Sequence, residues 1–480
     1  MKQAIYITTT LPYVNGLPHI GHTVEFIRAD ILARYYRMLG HKVFFNTGAD
    51  EHGQKIAEKA YELSQSPQEY VDAQVDQWKA FAQKIDMSYD YFSCTTDKQH
   101  KEAAQKLWVV CRERGYIYKS SYVAKYCVGC EMEKTDSELV DGRCADHPNR
   151  ELELIDEENY FFAFSKLAED LLELYKTRKD FVVPPFRLDE IQAFVSRGLR
   201  DFSISRLREK MSWGVAVPDD PTQVMYVWFD ALTNYISCLG WGSNDESKYE
   251  YFWQNGHSIQ LCGKDNLRQQ SAIWQAMLLA SGLEPTNTIF CEGHLTSGGT
   301  KMSKSVGNVV DPETYLAYYG VDAVRYFALR HIHNVQDSDW TPERFHEAYN
   351  SHLVNGLGNL ASRILNMAEK YEVHYTDYKE VDISTDLKDF DFNTYGDFVW
   401  NIIGQADAYI THEEPFRKAK DNIEAARKDV EHLLDLLWQI NAHLAPLMPQ
   451  THAKLTQAIK NGAKPAEPLF PRLEFNSEVL

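Results

Sequence analysis

His19 and His22 close a stretch, Thr8 to His22, that reads TTTLPYVNGLPHIGH and holds two prolines, two glycines and two histidines. Ring N–H groups of this kind donate hydrogen bonds to phosphate oxygens. Before the stretch, Gln3-Ala4-Ile5-Tyr6-Ile7-Thr8 is β-branched and aromatic, which predicts a buried strand. After it, Val24, Ile27, Ile31, Leu32, Tyr35 and Leu39 recur at helical spacing. A strand that feeds a helix through such a join gathers free backbone N–H groups and the positive helix end at one point. That is a place for an anion, most often a phosphate. A tight turn shaped by Gly and Pro is the plain alternative for the join taken by itself.

Three further groups carry chemistry. Cys127-x-x-Cys130 is followed, thirteen residues on, by Cys144-x-x-His147, inside the polar, turn-rich segment YCVGCEMEKTDSELVDGRCADHPN. Two such turns present four ligands in the tetrahedral arrangement that Zn²⁺ prefers, and four protein ligands leave no open position, so one structural zinc per chain is expected. Lys301 and Lys304 lie three apart in TSGGTKMSKS, where paired glycines predict a mobile backbone; a solvated basic loop is the plain alternative. Asp50 sits in the turn GADEHG at the carboxyl end of the strand predicted over Lys42–Thr47. In open α/β sheets ligands bind at those ends, so Asp50 is placed near the anion-binding join.

The elements that must position these groups follow from periodicity. Residues 1 to about 115 alternate strand-like and helix-like segments, the pattern of a doubly wound parallel sheet, which makes the fold class α/β. The knuckle segment interrupts this pattern over 116–175, with a strand predicted over Glu158–Phe164 and a helix over Lys166–Tyr175. The sheet pattern resumes over 176–295. Val224–Phe229, Ile259–Cys262 and Ile289–Cys291 read as strands that end on one ligand-bearing rim. Trp228 and Tyr235, seven apart, fall on one wall if a helical turn joins them. The lysine loop and the helix that starts at Asp311-Pro312 occupy 296–345. From 346 to 480 the pattern is a helix bundle. It carries a polar stripe at Asn355, Asn359 and Arg363, an irregular acidic stretch at 373–391, helices through Trp400–Ile410 and Ile423–Ile440, and a Pro-rich tail.

At 480 residues the chain has room for about three domains. It holds no apolar run of membrane-spanning length, and MKQAIYITTTLPY lacks the long apolar core of a signal peptide, so no membrane partner and a cytoplasmic location are expected. The net charge of −19 argues against non-specific adhesion to DNA or acidic membranes, though locally clustered basic residues still allow an RNA partner. Of the eight cysteines, the five outside the knuckle stand among apolar residues and read as reduced core thiols.

His19-Ile20-Gly21-His22 and Lys301-Met302-Ser303-Lys304-Ser305 resemble the HIGH and KMSKS signatures of class I aminoacyl-tRNA synthetases, in the right order. With TGADEHGQK, the knuckle, ENYFF, YVWFDALTNY, GKD, GHLTSGGTKMSKS and NGLGNLASR, the chain is similar to the methionine branch of that family over essentially its whole length. The resemblance implies a Rossmann-like sheet with an inserted zinc-knuckle connective domain, followed by an α-helical anticodon-binding bundle. It implies a ligase that activates L-methionine with ATP and Mg²⁺ to methionyl-adenylate and pyrophosphate, then charges tRNA(Met). By resemblance, His19, Gly21, His22, Gly293, His294, Lys301 and Lys304 handle ATP, with His19, His22, Lys301 and Lys304 catalytic. Leu11, Tyr13, Asp50, Trp228, Ala231, Tyr235 and Gln270 form the methionine pocket, with Asp50 facing the ammonium. Asn359, Arg363 and Phe416 read the anticodon.

Two departures from the family pattern stand out. Asn266 and Gln270 replace an apolar residue and a histidine after GKD, and Phe416 replaces a tryptophan after Pro415. A monomer is expected. A synthetase for another apolar amino acid lacks support, since the chain has no large editing insertion. A catalytically dead tRNA-binding paralogue is disfavoured by the retention of His19, His22 and Lys304.

Overall fold

A computed structural model describes residues 2–130, 132–134, 139–145, 147–302, 308–376, 378–383, 387 and 389–476. Six strands build its central sheet: β1 (Ala4–Thr8), β2 (Lys42–Ala49), β3 (Tyr91–Cys94), β4 (Val182–Val183), β5 (His257–Gly263) and β6 (Thr288–Glu292). They lie in the order β3-β2-β1-β5-β6-β4, each parallel to its neighbours. The period of two places Ile5, Ile7, Phe45, Ile259, Leu261 and Phe290 in one buried cluster. Tyr6, Phe44, Cys262, Ile289 and Cys291 fall in the cluster on the other face. A parallel sheet buried on both sides needs apolar residues at both parities, which is why these strands read as continuous apolar runs.

The strand order reverses between β1 and β5. Their carboxyl ends therefore flank a crevice of the kind that holds ligands in doubly wound sheets. Helix α1 (Ile20–Met38) leaves that crevice, starting within the predicted join Thr8–His22.

Over 117–225 the parallel sheet does not simply resume. Ile117–Cys127 pairs antiparallel with Glu153–Phe162 along ten residues, and the knuckle turns hang from the end of this ribbon. The strand expected at Glu158 thus belongs to this separate antiparallel layer. Val224–Phe229 also differs from expectation. Strand Asp220–Met225 pairs antiparallel with Ser205–Leu207 and Ala216–Val217, and helix Val227–Leu232 begins at once after it. An apolar run alone does not separate a strand from the buried helix that follows it.

The C-terminal helices are Tyr349–Gly358 (π-helical) continuing as Asn359–Lys370, then Phe392–Glu413, Pro415–Asp421, Ile423–Leu447 and Pro449–Asn461. The last was not among the helices expected; Pro449 stands in its first turn, where proline's fixed φ is favourable. Leu437, Leu444 and Leu455 share one buried cluster with Ile7 and Phe45 of the sheet, so the bundle packs directly on the α/β layer. Among the described residues no helix is long and apolar enough to cross a membrane.

One ion pair ties these layers. Arg325, on helix Val321–Arg330, donates to Asp30 of α1 at 2.7 Å, and both side chains have no exposure. Its other N–H groups donate to the carbonyls of Ile85, Pro446 and Leu447. Asp30 also accepts from Arg34 and from the backbone and hydroxyl of Ser88. Burial by itself would raise the Asp30 pKa, but Arg325, Arg34 and Ser88 outweigh it and hold the carboxyl below its usual range. Its contribution to stability is therefore complete above the ordinary carboxylate value and is lost as pH falls through the lower folded value. Asp30→Ala leaves a buried guanidinium uncompensated and is expected to cost about 3–5 kcal/mol in denaturant unfolding near pH 7. The deficit should shrink in acid, where the native carboxylate is itself being protonated.

Candidate active site

A cavity of about 530 Å³ opens at the carboxyl ends of β1 and β5. Its wall brings together Leu11, Tyr13, His19, Gly21, His22, Asp50, Trp228, Ala231, Tyr235, Gln270, Gly293 and His294. Every residue with a described side chain that sequence reasoning assigned to ATP or methionine is in this wall.

The histidines are held by the backbone. His19 is the N-cap of α1, where its Nδ1 accepts from Gly21 N at 3.1 Å, and His22 Nδ1 accepts from His19 N at 3.3 Å, a reciprocal capping box. The two rings stack with centroids 3.7 Å apart. With Nδ1 accepting in each neutral ring, Nε2 carries the proton, the donor a phosphate oxygen requires. Asp50 is 7% exposed, and its backbone is locked to the join by Asp50 N donating to Pro12 O and Val14 N donating to Asp50 O. Gln270 Nε2 donates to the Tyr235 hydroxyl at 2.7 Å, so the glutamine is tied to the aromatic wall.

The lysine loop begins as a hairpin. Leu295–Ser297 pairs with Thr300–Lys301 across Gly298 and Gly299, whose φ values of 60° and 73° suit glycine. Gly298 and Gly299 form the turn of this hairpin. Asp339 anchors it by accepting from Thr296 Oγ1 and Gly299 N. Met302 reaches the cavity wall, while Lys304 lies outside the described residues and the side chain of Lys301 is likewise not described.

In the knuckle, one donor atom from each of Cys127, Cys130, Cys144 and His147 lies within 4.8 Å of the other three. Cys130 Sγ is 3.4 Å from Cys144 Sγ and 3.2 Å from His147 Nδ1. A tetrahedral ion with metal–sulfur bonds of about 2.3 Å needs sulfur–sulfur edges of about 3.8 Å, so three thiols and one imidazole at this spacing fit such an ion. Gly129 is required here: a Cβ would stand 2.5 Å from the His147 ring.

The family described as "tRNA synthetases class I (M)" matches residues 5–151 and 137–365. The chain belongs to this family. The methionine–tRNA ligase of Caldanaerobacter subterraneus subsp. tengcongensis is 37% identical over 100% of this chain and 80% of its own length. That of Thermotoga maritima is 36% identical over 96% of this chain and 76% of its own. The Mycobacterium tuberculosis methionyl-tRNA synthetase in complex with methionyl-adenylate superposes with a TM-score of 0.90 at 32% identity, covering 98% of this chain and 100% of that one. Its apo form gives 0.83 at 28% identity, covering 99% of each.

Sequence reasoning missed the buried charges that support this class I synthetase site. Glu25 of α1 accepts from Thr10 N and Thr10 Oγ1, both at 2.7 Å. Burial and the nearby Glu292 raise its pKa to about 8. Arg28 of α1 pairs with Glu292 at 3.3 Å and donates to the carbonyls of Ala328, Ile332, His333 and Asn334. Asp230 accepts from His52 at 2.5 Å and His100 at 2.8 Å, so the helix carrying Trp228 and Ala231 is moored beside β2. The only sequence signal for Asp230 was a carboxylate directly after the apolar run VMYVWF.

The structure puts Asn359 and Arg363 one turn apart on Asn359–Lys370 and Phe416 on the separate helix Pro415–Asp421, 47% exposed. Arg363 is occupied by Asp407 at 2.5 Å, and Asn355 accepts from Arg472.

The folded chain keeps the Glu25 proton up to about pH 8, while an unfolded chain releases it near 4.5. Folding stability therefore falls as pH rises through that window. Glu25→Gln preserves the acceptor for Thr10 and cannot ionise, so denaturant titrations from pH 5 to 8 should show a flatter profile for the variant than for the wild type.

Proposed function

We propose that the chain is a methionine–tRNA ligase whose cavity binds L-methionine and ATP side by side. The reading is carried by one observation: residues from the β1–α1 join, the β2 end, the Trp228 helix and the β6 end line a single cavity at the strand-order reversal.

In the first step the methionine carboxylate attacks the α-phosphorus in line and pyrophosphate leaves. In the second, a terminal ribose hydroxyl of tRNA(Met) attacks the acyl carbon and AMP leaves. Charge builds on phosphate oxygens, so the work of the protein is positioning and electrostatic stabilisation. His19 and His22 donate from Nε2 to phosphate oxygens at the positive end of α1. Gly21, Gly293 and His294 line the nucleotide side, and Lys301 and Lys304 neutralise the outer phosphates as their loop closes. Asp50 holds the substrate ammonium. Leu11, Tyr13, Trp228, Ala231 and Tyr235 enclose the thioether, which suits a wall of apolar and aromatic groups. Gln270 fixes the rotation of the Tyr235 hydroxyl on this wall.

ATP is expected to bring Mg²⁺ with it. The Cys127, Cys130, Cys144 and His147 set would hold one Zn²⁺, which when bound closes the knuckle and supplies no open coordination position. Asn359, Arg363 and Phe416 read the anticodon, Phe416 by stacking on a base and Arg363 by exchanging Asp407 for RNA. The proposed segments are the catalytic halves 1–115 and 176–295, the connective insertion 116–175, the loop and stem-contact region 296–345 and the bundle 346–480. The enzyme is proposed to act as a cytoplasmic monomer, where tRNA is charged.

Purified protein should catalyse ATP–pyrophosphate exchange that depends on methionine; exchange with leucine or isoleucine in its place overturns the assignment. Lys304→Ala should slow exchange by about 10²-fold with methionine binding by calorimetry nearly intact. Metal analysis should find about one zinc per chain, and a fully folded, metal-free Cys127→Ser variant would contradict the structural role.

A further inference from the structure

The lysine hairpin is too short to hold its own direction. Its strands, Leu295–Ser297 and Thr300–Lys301, are three and two residues long, and an isolated two-stranded ribbon is marginally stable at best in water. Packing does not hold its turn either, since a Cβ added at Gly298 or Gly299 would meet nothing within 4 Å. What the hairpin has is a third strand. Ser338–Asp339 runs parallel to it, with Ser338 opposite Leu295 and Asp339 opposite Thr296. Ser338 N donates to His294 O at 3.0 Å, and Trp340 N donates to Thr296 O at 2.9 Å. That backbone ladder ends at Thr296, before the turn. Beyond it the Asp339 carboxylate takes over, its Oδ1 accepting from Thr296 Oγ1 at 2.8 Å and from Gly299 N at 3.0 Å. Among the described residues no other hydrogen bond reaches the Gly298–Gly299 turn from outside the hairpin.

Asp339 itself stands on a rigid base. The next residue, Trp340, has no exposure and meets the rings of Phe327 and Tyr315 edge to face, with centroids 4.7 and 5.6 Å apart. Arg344 donates to the carbonyls of Asp339 and His331. Two residues before Asp339, Asp337 accepts from Lys264 Nζ at 2.7 Å and from His294 N at 2.9 Å, which ties the segment to the turn after β5 and to the cavity rim. The rim and the segment approach so closely that a Cβ on Gly293 would stand 2.2 Å from Gln336 O. The carboxylate is therefore fixed relative to the rim, and the hairpin is fixed to the carboxylate. In register, Thr296 has Asp339 on one side and Lys301 on the other.

We propose that Asp339 is a positioning residue for the activation step: through Thr296 and Gly299 it holds the hairpin in the register that presents Lys301 to the outer phosphates of ATP. The inference rests on the ligase reading and deepens it by naming the group that sets the hairpin. Asp339 does not line the cavity, so it acts through the hairpin. Both of its partners are neutral donors, so the role requires an acceptor, and hydrogen bonds to a charged acceptor are the stronger kind. The outer phosphates leave with the first step, so transfer of the aminoacyl group from the adenylate does not draw on Asp339.

The test uses the full chain carrying Asp339→Ala, Asp339→Asn or Thr296→Val. Asp339→Ala removes two charge-assisted hydrogen bonds and should slow methionine-dependent ATP–pyrophosphate exchange by about ten- to hundredfold, with the KM for ATP raised. Methionine binding by calorimetry and single-turnover transfer from preformed methionyl-adenylate to tRNA(Met) should stay within about twofold of wild type. Asp339→Asn keeps the Oδ1 acceptor and should recover exchange to within about threefold of wild type. Thr296→Val removes one donor at nearly constant volume. It should raise the same KM, and combined with Asp339→Ala it should add less than its effect alone. Exchange at the wild-type rate in Asp339→Ala overturns the proposal. So does an equal loss of methionine binding or of transfer, which would make Asp339 a general support of the fold, and so does an Asn variant as slow as the Ala variant. Should Asp339→Ala fail to fold, Thr296→Val decides, and an unchanged KM for ATP there overturns the proposal. If the wild type itself shows no methionine-dependent exchange, the ligase reading fails and this one falls with it; an active wild type beside an unaffected Asp339→Ala sinks this inference alone.

Discussion

A carboxylate and a guanidinium with no exposure, Asp30 and Arg325, meet 2.7 Å apart between α1 and the helix Val321–Arg330. A pair this deeply buried is tolerated only when its remaining donors and acceptors are used, because desolvation otherwise exceeds the Coulombic gain. Here both conditions are met by backbone. Ile85 and Ser88 belong to one turn and Pro446 and Leu447 to the end of helix Ile423–Leu447, and both segments are fixed by bonding to the pair. Two residues earlier on α1, Arg28 bonds Glu292 at the end of β6 and the loop after Arg330. The helix whose first turn forms the histidine cap is thereby held from behind by the bundle and from the side by the rim. The 3.7 Å stacking of His19 on His22 depends on that helix not shifting.

The same rim poses an electrostatic problem, since Glu25, Glu292 and Asp265 all line a cavity proposed to receive triphosphate. Full ionisation of all three would repel the ligand. Burial resolves part of this by lifting Glu25 to about 8, so it stands neutral at pH 7. Glu292 is also pushed up by burial, with Arg28 acting against that rise. Asp265, at the exposed mouth, has His294 Nε2 at 3.6 Å. The acids therefore shape the cavity and tie its elements together without presenting three negative charges to the nucleotide.

Much of this arrangement was legible in the residues. The β-branched run ending at Thr8 and the helical spacing from Val24 onward placed the β1–α1 join between them, because propensity and periodicity agree there. The spacing of Cys127, Cys130, Cys144 and His147 was enough to bring the four together. What was not legible depended on partners distant in sequence. Arg28, Asp30 and Arg325 sit on helices where charged residues ordinarily face water, and only tertiary packing shows them to be buried. The run from Val224 to Phe229 crosses a strand–helix junction at Tyr226 that apolarity does not mark. The part of Glu153–Phe162 from Glu158 on was recognisable as strand, but the strand's antiparallel partners lie 27 to 45 residues back. The helix Pro449–Asn461 was not among the helices expected.

The knuckle and the amino-acid pocket are physically continuous, although four ligands close the knuckle to chemistry. Tyr126 and Val128, on either side of Cys127, pack with Tyr226 against Tyr13 and Trp228 of the pocket wall. Arg206 stands between Tyr126 and Tyr226, 4.9 and 4.6 Å from their ring centroids. Lys55 donates to Gly129 O at 2.6 Å while lying 5.7 Å from the Tyr13 ring centroid, and Cys130 itself reaches the cavity wall. The loop that carries Cys127 and Cys130 thus supplies the back of the aromatic wall. A metal ion held by the four knuckle residues would order that loop, and with it the shape of the pocket, while leaving no open position for chemistry.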